Sequence, residues 1–340
     1  MKRKILFSFA VLFLIFSCSK NDELVNQGNN GESVNQDNNN LKAATSLKGV
    51  NWADGRDNFQ TGWVLPSGIT SGNSYDTNKS IAQTICWNFK SKMDANTVRI
   101  PINIATVSQW WGNYKGIVDG ALAQGMKVII GYWCESGSTG YVTNWNGFIS
   151  MWTTVKNSYG SNSNVYFEIM NEPHGYTSTN DLLNMYSSWL STFSSISRSR
   201  VICDGYGYSE NVATIGGDSR ISSCLLSYHN YAYWKSFDTN TAWYNDVSAG
   251  IGSYSSRTII TEFGCTMNSG LKFYGVGSTN NEVCYLQGIT NYARAKGMGS
   301  CYWPGLRDGD SYSITTRNSS NNLTVVNSDA VKQVNWGWGQ

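Results

Sequence analysis

Two glutamates follow or end apolar runs at widely separated places in the chain. Glu172 follows Val165–Asn171 in VYFEIMNEPHG, and Glu262 sits in TIITEFGC, 90 residues later. A carboxylate beside a buried strand is costly unless a partner or a reaction uses it. Two carboxyl groups flanking a glycosidic bond can divide its hydrolysis between them. One holds a proton for the leaving oxygen; the other is ionised and attacks the sugar or activates water. Either glutamate alone would read as well as half of an ion pair with arginine. Two of them at matched strand ends read as a site.

The elements that would position this pair recur along the chain from Leu47 onward. Short β-rich runs occupy Leu47–Trp52, Thr97–Ile102, Lys127–Trp133 and Val165–Asn171, followed by Arg200–Asp204, Leu225–His229, Arg257–Phe263 and Gly299–Trp303. They are almost continuously apolar, as parallel strands buried on both faces must be. Helical spacing lies between them. Ile81, Ile85, Phe89 and Met93 recur every four residues. Leu182, Tyr186, Trp189, Leu190 and Phe193 line another face, with Thr179 or Asn180 as N-cap, and Trp243, Val247 and Ile251 mark a third. Gly125 and Gly297 stand where helix C-caps belong. Eight strand–helix units, with no GxGxxG or P-loop after the first strand, predict a (β/α)8 TIM barrel and not an open doubly wound sheet. In such a barrel chemistry sits at the C-terminal strand ends, and strands four and seven face one another across the mouth. Little chain remains beyond the eighth strand, and no appended binding module is expected.

NEP after an apolar strand and TEFG farther on resemble the catalytic motifs of glycoside hydrolase family 5, which holds many cellulases and mannanases. The resemblance spans Leu47 to the C-terminus. Arg99 in TVRIP matches the family's arginine at the end of the second strand, and Asn171 the asparagine before the acid/base. His229 and Tyr231 in YHNY match its His-x-Tyr after the sixth strand, and Trp303 in CYW the tryptophan ending the eighth. The family's retaining chemistry implies Glu172 as acid/base and Glu262 as nucleophile. Residue chemistry fits those roles. Arg99 and Tyr231 near Glu262 should hold its carboxyl low, while Glu172, less compensated, should keep a proton near neutral pH. Pro173 should push Glu172 towards an extended backbone. Asn171 is a donor for a sugar 2-hydroxyl, and Trp303 a flat face beneath the sugar at the cleavage site.

One departure from the family pattern stands out. A histidine is usual at the end of the third strand, where VIIGYWCES places Trp133, and the chain has only two histidines, His174 and His229. The sugar there must be met through Trp133, Cys134 or Glu135 instead. Asp308 and Asp310 in GLRDGDSYS read as a polar loop, with Ca2+ binding as the alternative. No metal site or cofactor is expected: CxxC and Cys/His clusters are missing from the sequence.

Composition narrows the partners. A net charge of +2 over 340 residues gives no field to attract nucleic acid or a membrane surface. Charged residues are only 14% while Trp and Tyr number 14 and 20, which suits a core and also a groove that stacks on sugars. At the N-terminus, Lys2, Arg3 and Lys4 precede the apolar Ile5–Phe16, too short to span a bilayer. Ile15-Phe16-Ser17-Cys18 resembles a bacterial lipoprotein cleavage box, an ordinary signal peptide being the rival reading. Residues 1–17 are thus expected as leader, Cys18 as the lipidated residue and 18–46 as a polar tether, with 47–340 as one catalytic domain. Asp22-Glu23 resembles a surface-export signal. Setting Cys18 aside leaves seven of eight cysteines, an odd number, so at least one thiol stays free or pairs between chains. The expectation is a lipid-anchored, monomeric, retaining endo-β-glycanase acting on β-1,4-linked plant polysaccharide of the cellulose, β-glucan or xyloglucan type. An exo-acting β-glycosidase or a mannanase of the same fold is the alternative, and a non-catalytic surface glycan-binding lipoprotein the rival of another class.

Overall fold

The computed structural model describes residues 47–56, 61–135 and 139–340. The expected leader, Cys18 and the tether lie outside the described residues. Eight strands run in chain order: β1 Lys48–Trp52, β2 Thr97–Ile102, β3 Lys127–Tyr132, β4 Val165–Glu168, β5 Val201–Asp204, β6 Leu225–Tyr231, β7 Thr258–Gly264 and β8 Ser300–Leu306. Each pairs in parallel with the next, and β1 closes on β8, giving the TIM barrel that the apolar runs predict. The strand formed by VYFEIMN is shorter than expected: β4 stops at Glu168, and beyond it the Asn171 N–H donates to the Tyr132 carbonyl at 2.8 Å.

The outer ring holds α1 Tyr75–Met93, α2 Ile104–Ala123, α3 Trp145–Tyr159, α4 Thr179–Thr192, α5 Asn240–Ile251 and α6 Asn281–Lys296. Their starts are fixed by side chains that accept a first-turn N–H: Ser74, Asn103, Asn144, Ser178, Thr239 and Asn280. The α4 cap is therefore Ser178, and neither Thr179 nor Asn180 as expected. Gly297 ends α6 at φ 61°, a left-handed position that suits glycine. The expected helix after every strand fails once. β5 and β6 are joined by a loop with a bridge between Tyr206 and Asn211 and a short 3-10 turn at Ser219–Ile221. Gly205, Gly207, Gly216 and Gly217 interrupt any helical spacing there. After β8 a small antiparallel hairpin, β9 Thr315–Arg317 and β10 Leu323–Val325, joins β8 at Leu306, and α7 Ser328–Gly337 packs beside α6. No helix among the described residues is long and apolar enough to cross a membrane.

The barrel interior changes character along the strands. Leu47, Ile129, Tyr166, Ile202, Leu225, Ile259 and Cys301 form one apolar cluster. Side chains on one strand face recur every second residue. Two residues further on, that same face carries Glu168, Asp204, Ser227, Thr261 and Trp303, all buried. Glu262 breaks this parity, because it directly follows Thr261. The register of β7 slips against β6 between Tyr228 and His229, and against β8 between Ile260 and Phe263. This bulge lets Thr261 and Glu262 both face inward.

Candidate active site

Arg99, buried in β2, organises the inner face at the barrel mouth. Its Nε and Nη2 donate to Glu168 at 2.5 and 2.8 Å, Nη1 to Asn51 at 2.8 Å and Glu262 at 2.5 Å, and Nη2 also to Asn171 at 2.6 Å. Burial works against the guanidinium charge, but Glu168 and Glu262 outweigh it and keep Arg99 protonated. Glu168 reaches Arg99 across β3 only because Gly131 lies between them. A Cβ at Gly131 would meet Glu168 Oε2 at 2.8 Å.

Glu262 is fixed by two donors on its two oxygens. Arg99 binds Oε1, and the Tyr231 hydroxyl donates to Oε2 at 2.7 Å. The expected lowering of this carboxyl is not found. Burial raises it above the ordinary glutamate range, Arg99 and Tyr231 pull back, and the neighbouring charge of Glu168 pushes up again. Arg99 is shared between two carboxylates, so neither has its whole charge.

Glu172 occupies a different environment. His229 Nδ1 lies 3.1 Å from its Oε1 and 3.5 Å from Glu262 Oε2, and His229 Nε2 meets the Thr261 hydroxyl at 3.0 Å. Burial first, then Arg99, hold the His229 imidazole well below its usual range, so it stays neutral. Glu172 does not take the extended backbone expected before Pro173. Its φ is 47°, a left-handed conformation costly for a residue with a side chain. The Glu172 N–H reaches Asp204 Oδ1 at 3.4 Å, and the Ser209 hydroxyl holds that same oxygen at 2.5 Å. Burial and Glu168 push the Asp204 carboxyl well above the usual carboxylate range.

An oxygen of Glu172 and one of Glu262 lie within 4.8 Å of each other. The two open on a cleft of about 620 Å³ with aromatic walls: Tyr208, Tyr233, Trp234, Trp303 and Tyr312. The structure brings Arg99, Asn171, His229, Tyr231 and Trp303, the residues that the family resemblance singles out, together around the two glutamates. Trp133 is buried and packs on Trp303, with ring centroids 5.4 Å apart. Glu135 accepts from the Ile104 N–H and the Tyr132 hydroxyl, which ties it to the start of α2. Asp310 is matched by Arg307 at 2.8 Å and Asp308 by Arg317 at 2.5 Å, so both carboxylates already have cations.

Sequence reasoning missed Glu168, Asp204 and Asn51. The signal for Glu168 was present: a lone carboxylate inside VYFEIM needs a buried partner. It also missed Tyr208, Tyr233 and Trp234, which belong to loops whose course no periodicity reports. Two groups, Glu168–Asp204–His229 and Glu172–His229–Glu262, hold ligand atoms close enough for a metal ion. Arg99 engages Glu168 and Glu262, Tyr231 engages Glu262 and Ser209 engages Asp204 Oδ1, while the buried Asp204 Oδ2 has no hydrogen-bond partner among the described residues.

The model of the family described as Cellulase (glycosyl hydrolase family 5) matches residues 56–309. No curated protein matches the sequence. Among solved structures, an endoglucanase superposes with a TM-score of 0.61 at 16% identity, over 86% of this chain and 99% of that one. An endocellulase from Pyrococcus horikoshii, solved with cellotetraose, gives 0.62 at 15%, over 86% and 92%. A hyperthermophilic endo-β-1,4-glucanase in complex with substrate gives 0.58 at 16%, over 86% and 99%. Such identities establish the barrel alone. The family match is what reaches further, and it spans Arg99, Glu172 and Glu262: the chain belongs to glycosyl hydrolase family 5, the cellulase family.

Proposed function

We propose that this protein is a retaining endo-β-glycanase that cleaves β-1,4-linked glucan of the cellulose, β-glucan or xyloglucan type. The observation that carries the reading is the short distance between the two glutamates, with oxygens within 4.8 Å. Retaining enzymes hold their carboxyl groups about 5–5.5 Å apart, and inverting ones leave room for a water at roughly 6.5–9.5 Å. Their surroundings differ. Glu262 is gripped by Arg99 and Tyr231, which orient it towards the anomeric carbon and oppose the upward push of burial on its carboxyl. Glu172 has the neutral His229 imidazole beside it. Glu172 protonates the glycosidic oxygen as the C–O bond breaks and Glu262 bonds to the sugar. Glu172 then takes a proton from the water that releases it. Asn171, oriented by Arg99, donates to the 2-hydroxyl, and Trp303, backed by Trp133, lies against the ring.

Relatives in fold bear on the substrate: the Pyrococcus horikoshii endocellulase was solved with cellotetraose. The leader and Cys18 support the further proposal that the enzyme is exported and lipid-anchored at the bacterial surface. A reducing-sugar assay on cellulose, mixed-linkage β-glucan, xyloglucan and mannan, with Glu262→Gln as control, tests the activity. Release of oligosaccharides of several lengths from a β-1,4-glucan is expected. A single short product would mean exo action. Binding without release of sugar would make the protein a glycan-binding barrel.

A further inference from the structure

Asp204 ends β5, is fully buried and does not line the cleft, and no step of the reaction above uses it. Its Oδ1 accepts from the Ser209 hydroxyl at 2.5 Å and from the Glu172 N–H at 3.4 Å. Both donors belong to residues with left-handed backbones, Glu172 at φ 47° and Ser209 at φ 58°. Neither is glycine, so each conformation is costly unless its surroundings hold it. One oxygen thus ties down two strained residues. The Ser209 carbonyl in turn accepts the His229 N–H at 3.0 Å, and the His229 ring meets Glu172 Oε1 at 3.1 Å. The Tyr186 hydroxyl donates to the Asp204 carbonyl at 2.8 Å, which fixes the end of β5.

The other oxygen stands out. Oδ2 is buried and has no hydrogen-bond partner among the described residues. A carboxylate oxygen buried unpaired is costly. The Asp204 carboxyl is in hydrogen-bond contact with Glu168, itself fully buried, whose two oxygens already accept from Arg99 at 2.8 and 2.5 Å. Two ionised carboxylates offer only acceptors and cannot bond to one another. One proton between them makes the contact an O–H···O⁻ bond, which is short and strong. That proton belongs on Asp204, because Arg99 stabilises the charged form of Glu168. Charge counting agrees. Arg99 already faces Glu168 and Glu262, and His229, 3.9 Å from Asp204 Oδ1, is neutral. A third anion would find no second cation among these groups.

We propose that Asp204 donates a hydrogen bond from Oδ2–H to Glu168 and is a positioning residue, which through Oδ1 anchors the backbone of Glu172 to the Arg99–Glu168 fork in the barrel wall. The role of Glu172 comes from the glycanase reading above, on which this inference rests. A carboxylic acid can donate on one side while it accepts two bonds on the other. The Glu172 N–H is thereby held against a rigid buried pair, and its side chain is aimed into the cleft. Asparagine has the same two sides, an amide N–H for Glu168 and an oxygen for Ser209 and Glu172. Alanine has neither.

Infrared difference spectra and kinetics of Asp204→Asn and Asp204→Ala test this. In a Glu172→Gln background, which removes the proton of the acid/base, Asp204→Asn should erase a carboxylic-acid carbonyl band at neutral pH. That readout needs no glycan and survives even where the alanine variant fails to fold. In the active enzyme, Asp204→Ala should lower kcat on polysaccharide on the order of 10²-fold with KM little changed, as misplacing a catalytic group does. A dinitrophenyl glycoside needs no protonation for its first step and should be much less affected. Asp204→Asn should recover most of the kcat that Asp204→Ala loses. A spectrum in which no such band is lost overturns the proposal. So does an Asp204→Asn variant that folds and is as slow as Asp204→Ala. Equal losses on both substrates, the mark of a general loosening, overturn it as well. If the band is lost but the wild type cleaves no glycan, the glycanase reading falls together with the role of Glu172, and the buried bond from Asp204 to Glu168 stands.

Discussion

Arg99 and Glu168 meet in a two-bond fork of 2.5 and 2.8 Å inside the barrel wall, with side chains 1% and 0% exposed. Glu168 touches no cleft, yet its charge is one of the causes that raise Glu262. Glu168→Gln removes that charge and keeps an acceptor for Arg99. The Glu262 carboxyl should then titrate lower. Because Glu262 must be ionised to attack, the acid limb of kcat/KM should move to lower pH. An unmoved limb in a folded variant would show that Glu168 is structural only. Glu168→Ala leaves the buried cation half-compensated and should cost about 3–5 kcal/mol by chemical denaturation.

Gly131→Ala tests the same fork from the side. Its Cβ would stand 2.8 Å from Glu168 Oε2, so the carboxylate must move or the strands must part. A loss of roughly 1–3 kcal/mol is expected. It should come with the same displacement of the acid limb, which a packing defect elsewhere would not produce.

Glu172→Gln separates the two catalytic steps. Cleavage of polysaccharide should fall by about 10²-fold or more. A dinitrophenyl glycoside needs no protonation, so its first step should survive and the glycosyl-enzyme should accumulate. Azide needs no base and should restore turnover with retained configuration at the anomeric carbon. Glu262→Gln should be inactive on every substrate and beyond rescue. Equal, unrescued loss in both would remove Glu172 as acid/base.

Cys18→Ala concerns the anchor. If Cys18 carries lipid, the variant should leave the membrane fraction as a folded, active protein. Fractionation of cells followed by activity measurement checks it, and a variant that stays with the membrane refutes the anchor.

The barrel was legible because its signal is local: an apolar run fully buried on both faces looks the same wherever it occurs. The site was legible where the family resemblance names a residue, as for Arg99, His229, Tyr231 and Trp303. Asn51, Glu168 and Asp204 lie on strands too and went unread, because a run of strand residues does not say which polar side chains meet inside. Glu262 shows the limit, since a bulge turns it inward and alternation alone would aim it at the helices. The missing helix between β5 and β6 escaped notice because a glycine-rich segment of the right length resembles a loop-plus-helix until its spacing is examined. The Glu262 carboxyl was misjudged because a partner can be inferred from sequence, but the sharing of that partner cannot. Glu168 competes for Arg99 from another strand.

Of the five hydrogen bonds that Arg99 donates, four go to Asn51, Glu168 and Asn171, all within the first half of the barrel, and one goes to Glu262 in the second. A chain that has left the ribosome only as far as the fourth strand already contains a self-neutralising charge cluster. The later half, taken alone, has an inward-facing Glu262 with Tyr231 but no guanidinium. The halves are therefore unequal as fragments. The first can settle around its own salt link, and the second is electrostatically complete only when it docks on the first. Permuting the chain so that Glu262 is made before Arg99 would reverse that order of supply and expose an unmatched carboxylate during synthesis.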